Sequence, residues 1–124
     1  MTFSRIIGTG HYLPRRVLTN QDLEKMVDTT DAWIRERTGI ERRHLAAENE
    51  TTVDLAEPAA RAALAAAGVG AEQVDLIVFG TTTPDLVFPN CGALLQHRLG
   101  IRHCPAFSLE AACSGFIFAL SVAD

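Results

Sequence analysis

Hydrophobic and polar positions change period several times along the chain, and each change predicts an element. "FSRIIGTGHYLP" reads as a short apolar strand running into a glycine turn. Thr19 and Asp22 have the spacing of a capping box that opens a helix over "NQDLEKMV". A second helix over "TDAWIRER" stops at Gly39, a residue suited to a left-handed cap, and "IERRHLA" reads as a strand or extended loop. A third helix is expected from Thr52 to Ala67, closed by Gly68. Pro58 falls beyond its first turn, where it removes a hydrogen bond, so a kink or a later start is expected. "VDLIVFG" is an almost continuously apolar strand of the kind covered on both faces in a parallel sheet. After the loop "TTTPDLVFP", a helix opened by Pro89 runs to Leu99 and Gly100, then "PAFSLEAA" makes a strand and "SGFIFALSVA" a final helix. Strands alternating with helices predict an α/β layered fold with right-handed crossovers.

The final helix is apolar around most of its circumference, since Phe116, Ile117, Phe118, Leu120 and Val122 do not fall on one stripe. Such a helix needs cover on all sides. The material before it supplies a sheet for one side only.

Composition narrows the class. With 124 residues, 48% of them apolar and 21% charged, the chain has the makeup of one globular unit with one core. Its formal charge of -4 offers no global basic field for nucleic acid or anionic membrane. No stretch approaches the ~20 apolar residues needed to cross a bilayer, and "MTFSRIIGTG" lacks the pattern of a signal peptide, so a cytoplasmic location is expected. The cysteines, Cys91, Cys104 and Cys113, are too few and too irregular for a disulfide framework.

Cys113 is the candidate nucleophile, weighed against the ordinary reading of a buried structural thiol. It falls where a strand should turn sharply into a helix, a setting that favours thiolate over thiol. Ala111, Ala112, Ser114 and Gly115 leave room for a substrate and for a tight turn, as small residues do around a nucleophile elbow. The Cys113 backbone N–H can then face an oxyanion. Cys91 and Cys104 have no comparable setting. Together with His97 and His103 they lack the short spacings of a zinc site, so no metal is expected. His11 and His44 read as turn and surface residues.

Trp33 and Arg37 stand four apart, on one face of their helix, where an indole and a guanidinium can form a slot for a flat base such as adenine. Arg35, Arg42 and Arg43 lie close by in "RERTGIERRH". The residues alone favour the plainer reading, an amphipathic helix with a half-buried Trp33 and solvated arginines. "GTG" at Gly8 to Gly10 is too short for a dinucleotide fingerprint.

Taken together, "DTTDAWIRERTGIERRH", "TTTPDLVFP", "RHCPAF" and "EAACSGFIFAL" resemble the N-terminal part of the 3-oxoacyl-ACP synthase III (beta-ketoacyl-ACP synthase III) family, condensing enzymes of the thiolase superfamily that start type II fatty acid synthesis. The resemblance spans essentially all 124 residues. It implies a layered thiolase-like α/β fold, here an incomplete N-terminal half of βα units ending in the nucleophile helix, within one domain over 1–124 whose C-terminal half is absent. Cys113 matches the acyl-accepting nucleophile. Trp33 and Arg37 match residues that sandwich the adenine of coenzyme A, and Thr29 matches a polar contact to that nucleotide. Thr82 matches a residue near the acyl tunnel, and Phe88 an aromatic that crosses the dimer interface.

The implied reaction joins an acyl-CoA to malonyl-ACP (acyl carrier protein) through an acyl-cysteine, in a homodimer, without metal or redox cofactor. The family's histidine and asparagine for the second half-reaction match nothing here. Departures from the family pattern fall at Glu110, at Ser108 where aspartate is frequent, and at Pro58. The alternatives are another thiolase-superfamily acyltransferase of secondary metabolism, or a nonenzymatic fragment or binding module.

Overall fold

The computed structural model describes residues 4–124. They sort into two compact units: Leu13–Glu50, and the described residues up to Tyr12 together with Thr51–Asp124.

In the smaller unit, β1 (Arg16–Thr19) pairs antiparallel with β2 (Arg42–Leu45), with Arg16 opposite Leu45 and Thr19 opposite Arg42. The sequence reading expects β2 but not β1. The capping box forms as expected: the Asp22 N–H donates to Thr19 Oγ1 at 3.2 Å, and the Thr19 N–H donates to the Asp22 carboxylate at 3.1 Å. The helix it opens, α1 (Asn20–Glu24), ends before the expected Val27. Met26 and Val27 both donate to the Leu23 carbonyl, and their exposed side chains bury no apolar face that would continue it. In α2 (Asp31–Thr38), Thr30 Oγ1 accepts the Trp33 N–H at 3.1 Å, and Gly39, at φ 69°, donates back to the Arg35 carbonyl. Ile34 is the buried residue of this helix.

In the larger unit, α3 (Thr52–Ala67) begins and ends where the sequence predicts, between a Thr51–Asp54 capping box and Gly68 at φ 65°. It runs through Pro58 without a later start. A short 3₁₀ turn, Ala71–Gln73, leads to β3 (Ile77–Gly80), which pairs parallel with β4 (Ala106–Leu109) in the register Ile77 opposite Ala106. Both strands are shorter than expected, because pairing runs out at each end. At the entrance Pro105 has no N–H to give and its carbonyl accepts from Ile77; at the exit Thr81 N–H takes the Leu109 carbonyl.

The helix α4 (Cys91–Leu99) connects the two strands, and Gly100 closes it at φ 75°. Its cap is Asn90, whose side chain accepts the Ala93 N–H at 3.0 Å. Pro89 therefore precedes the cap instead of opening the helix, and it joins Phe88 through a cis peptide. The N-terminal segment expected as a strand forms none over residues 4–14, and Phe3 lies outside the described residues. Ile6 and Ile7 are exposed, with no strand paired alongside them among the described residues.

The core is built from Val53 of α3 and Cys91 and Leu95 of α4, with Ala56, Ala60, Ile77 and Phe79 packed around them. Two close backbone approaches permit this packing. A Cβ on Gly92 would stand 2.7 Å from the Phe107 carbonyl oxygen, so α4 lies on β4 main chain against main chain. Gly8 and Gly10 likewise press on the alanine face of α3; a Cβ on Gly8 would stand 2.5 Å from the Ala63 carbonyl oxygen. The "GTG" and "AARAALAAAG" stretches are thus two sides of one contact. α5 (Gly115–Ala123) packs on β3, while Phe116, Ile117, Phe118, Leu120 and Val122 stay between 42% and 68% exposed.

Two outcomes follow for stability. Gly92→Ala should lower it by about 1–3 kcal/mol, the size of an overpacked core site, as read by the thermal midpoint. Asp54 accepts the Thr51 N–H and pairs with Arg98 at 2.5 Å, and these partners pull its carboxyl down from 3.8 to about 2. Between those values the unfolded chain binds more protons, so stability is present above about 3.8 and is lost as pH falls through 2. Urea midpoints measured from pH 5 to 2 should show this slope, and Asp54→Asn should flatten it.

Candidate active site and nucleotide site

The end of β4 delivers Cys113. After Leu109 the chain passes through Glu110 and Ala111 into a 3₁₀ turn, Ala112–Ser114, which runs directly into α5. Ala112 takes φ 43°, among the described residues the one non-glycine position with positive φ. Left-handed backbone costs a residue with a Cβ roughly 1–2 kcal/mol, so the turn before the cysteine carries strain of that order. Cys113 is exposed, whereas Cys91 is fully buried and Cys104 half-buried.

Cys91 has a structural part: its Sγ accepts the Asp85 N–H at 3.4 Å. Around Cys104, Gln96 Nε2 donates to the main-chain carbonyl at 2.5 Å. His44, expected at the surface, is half-buried, with Nδ1 2.7 Å from the Pro14 carbonyl.

A hollow of about 300 Å3 lies beside the turn, lined by Gly80 and Thr81–Thr83 on one side and Ala111, Ala112, Gly115 and Phe116 on the other. Thr82 is therefore brought to the cysteine's turn. Cys113 is not itself a lining residue, although its neighbours on both sides are. The parallel pairing accounts for this: β3 and β4 end side by side at Gly80 and Leu109, so the loops that follow share one space. Ligand sites fall at the carboxyl ends of parallel strands for the same reason.

The loop after β3 is held by a residue the sequence reading does not single out. Asp85 accepts the N–H groups of Thr52 (2.7 Å) and Val53 (3.2 Å) at the start of α3, while Thr52 Oγ1 donates to the Thr83 carbonyl at 2.7 Å. The signal available in sequence was an aspartate after proline in "TTTPD", but its partner lies more than 30 residues away. Beyond this anchor Val87 and Phe88 project, 96% and 86% exposed.

In the smaller unit, Trp33 is 53% exposed and the Arg37 guanidinium lies over its ring, 4.9 Å from the centroid. At that distance the two touch, which leaves no gap for a base between them. A separate shallow hollow of about 240 Å3 is lined by Asp28, Thr29, Thr30 and Trp33, so Thr29 and the indole share a surface without Arg37.

No family model matches the chain. The sequence is 61% identical over 125 residues to beta-ketoacyl-[acyl-carrier-protein] synthase III of Thiobacillus denitrificans, an alignment covering 100% of this chain and 39% of the relative. Among solved structures, 3-oxoacyl-[acyl-carrier-protein] synthase III from Aquifex aeolicus superposes with a TM-score of 0.89 at 51% identity, over 96% of this chain and 38% of the other. The priming beta-ketosynthase of the R1128 polyketide pathway gives a TM-score of 0.91 at 40% identity, over 98% and 36%. The fold is accordingly part of a thiolase-like α/β fold. More narrowly, this chain is similar in sequence and fold to the N-terminal part of the beta-ketoacyl-ACP synthase III family, and spans under two fifths of its relatives' length.

Relief of the strain before the cysteine is measurable. Ala112→Gly should raise the thermal midpoint by the equivalent of about 1 kcal/mol, and Ala112→Val should lower it by more, because a β-branched side chain tolerates positive φ worst.

Proposed function

We propose that this sequence belongs to a condensing acyltransferase that joins an acyl-CoA primer to malonyl-ACP, with Cys113 as the acyl acceptor. The observation that supports this most is the exposed cysteine on a tight turn of small residues at the carboxyl end of a parallel strand pair, in a chain 61% identical to a named synthase III. The Cys113 thiolate attacks the acyl-CoA thioester carbonyl, and coenzyme A leaves as its thiol. Malonyl-ACP then loses carbon dioxide, and its carbanion attacks the acyl-cysteine. The C–S bond breaks, 3-oxoacyl-ACP departs and the thiol is restored.

Trp33 and Thr29 offer the adenine of coenzyme A a stacking face and a polar edge, and Arg37 caps the indole and supplies positive charge. Thr82 lines the wall of the hollow where the acyl group sits. Phe88 is the contact to a second subunit, a reading supported by its exposure at the tip of an anchored loop. The histidine and asparagine of the family's second half-reaction belong, on the resemblance, to polypeptide beyond these residues, as does the cover for α5. Residues 1–124 form the N-terminal part of that catalytic domain. No described helix is long and apolar enough to cross a membrane.

A second reading, a related acyltransferase of secondary metabolism, is supported by the 40% identity to a priming beta-ketosynthase of a polyketide pathway.

In the intact protein, incubation with acetyl-CoA should add one acetyl group to the Cys113 peptide by mass spectrometry, and Cys113→Ala should carry none. Label persisting in Cys113→Ala would sink the assignment. Turnover with malonyl groups on a fatty-acid carrier but not on a polyketide carrier separates the first reading from the second.

A further inference from the structure

Asn20 is the one fully buried polar side chain among the described residues, and every polar group on it is used. Its Nδ2 donates to Asp31 Oδ1 at 2.7 Å and to the Ile40 carbonyl at 2.8 Å, and its Oδ1 accepts from the Arg43 guanidinium. Its backbone N–H donates to the Glu41 carbonyl at 3.3 Å.

These partners flank α2 on both ends. Asp31 is the helix's first residue, Ile40 follows its Gly39 cap, and Arg43 lies on the neighbouring strand β2. Between the clamped ends, Trp33 and Arg37 stand stacked on the exposed face. The network continues outward: Asp31 also pairs with Arg35 at 2.9 Å, and Arg35 with Glu41 at 2.9 Å. Those outer pairs are solvent-exposed and contribute little, whereas the buried amide has no water to fall back on.

A single amide therefore fixes the axial position of the helix that bears the stack. We propose that Asn20 is the positioning residue of the nucleotide site: through Asp31 and Ile40 it holds α2 so that Trp33 presents its face to the adenine. The proposal rests on the assignment of Trp33 and Arg37 to coenzyme A. Asn20 touches neither substrate nor reacting atoms, so its loss weakens capture of the acyl-CoA and spares the chemistry at Cys113.

The test is steady-state kinetics of the intact protein with acetyl-CoA and malonyl-ACP varied separately. Asn20→Asp is nearly isosteric, keeps an oxygen for Arg43, and deletes both amide donors. It should raise the KM for acetyl-CoA about tenfold, the upper end of what one ordinary hydrogen bond contributes. The maximal rate and the KM for malonyl-ACP should move less than twofold. Asp31→Ala removes the same bond from the exposed side, and should reproduce the split should the buried variant not fold. Arg35→Ala breaks only the outer pairs and should leave the KM in place.

A fall in maximal rate together with a rise in both KM values would mark a general structural role and overturn the proposal. So would an unchanged KM for acetyl-CoA in Asn20→Asp while Trp33→Ala raises it. Trp33→Ala and Arg37→Ala both leaving that KM unmoved would instead remove the nucleotide assignment, and the positioning role with it.

Discussion

The close approach of α4 to β4 at Gly92 is the contact on which the larger unit depends. With no Cβ at that position, the α4 main chain rests on the main chain of Phe107, and Cys91 and Leu95 on either side reach the core that Val53 completes. That seating holds β4 beside β3 in parallel register, and the register ends both strands at one level. Everything at the candidate active site follows from this level ending. The threonine loop and the cysteine turn are far apart in sequence, yet they line the same hollow because their strands stop side by side.

Two aspartates and one asparagine translate local helix chemistry into placement of loops. Asp85 answers the unpaired N–H groups at the start of α3, which fixes the loop that carries Thr82 and Phe88. Asp54 forms half of the α3 capping box and also reaches Arg98 on α4, so a local cap doubles as a link between helices. Asn20 does for the smaller unit what Gly92 does for the larger: it sets the distance between elements, with hydrogen bonds in place of a missing side chain. For Asp85 and Asn20 a backbone group that a helix end or loop leaves unpaired is satisfied by a side chain distant in sequence, whereas Asp54 answers a local N–H and reaches the distant Arg98 side chain.

Legibility of the fold followed interaction range. The capping box at Thr19 and the closing glycines at positions 39, 68 and 100 are encoded within a few residues, and the structure has each where the sequence puts it; the Thr51–Asp54 box is equally local but was not singled out. Strand limits were not encoded that way. β1 was missed because four residues, "RVLT", carry no pattern until β2 lies alongside, and the Ile6–Ile7 segment looked like a strand but has no partner among the described residues. Pro89 looked like a helix opener, yet the stronger local capper Asn90 follows it.

The sequence by itself determined the presence of the main helices, their closing glycines, the α/β alternation and the small residues around Cys113, because each is written within a turn or two of chain, and its motifs carried the family resemblance. Only the tertiary structure decided that Thr82 lies beside the cysteine's turn, that the two glycines of "GTG" seat on the alanines of α3, and that Asn20 clamps α2. Those facts depend on the close packing and hydrogen-bond satisfaction of groups far apart in the chain, which strand pairing and core packing bring together and no sequence period records.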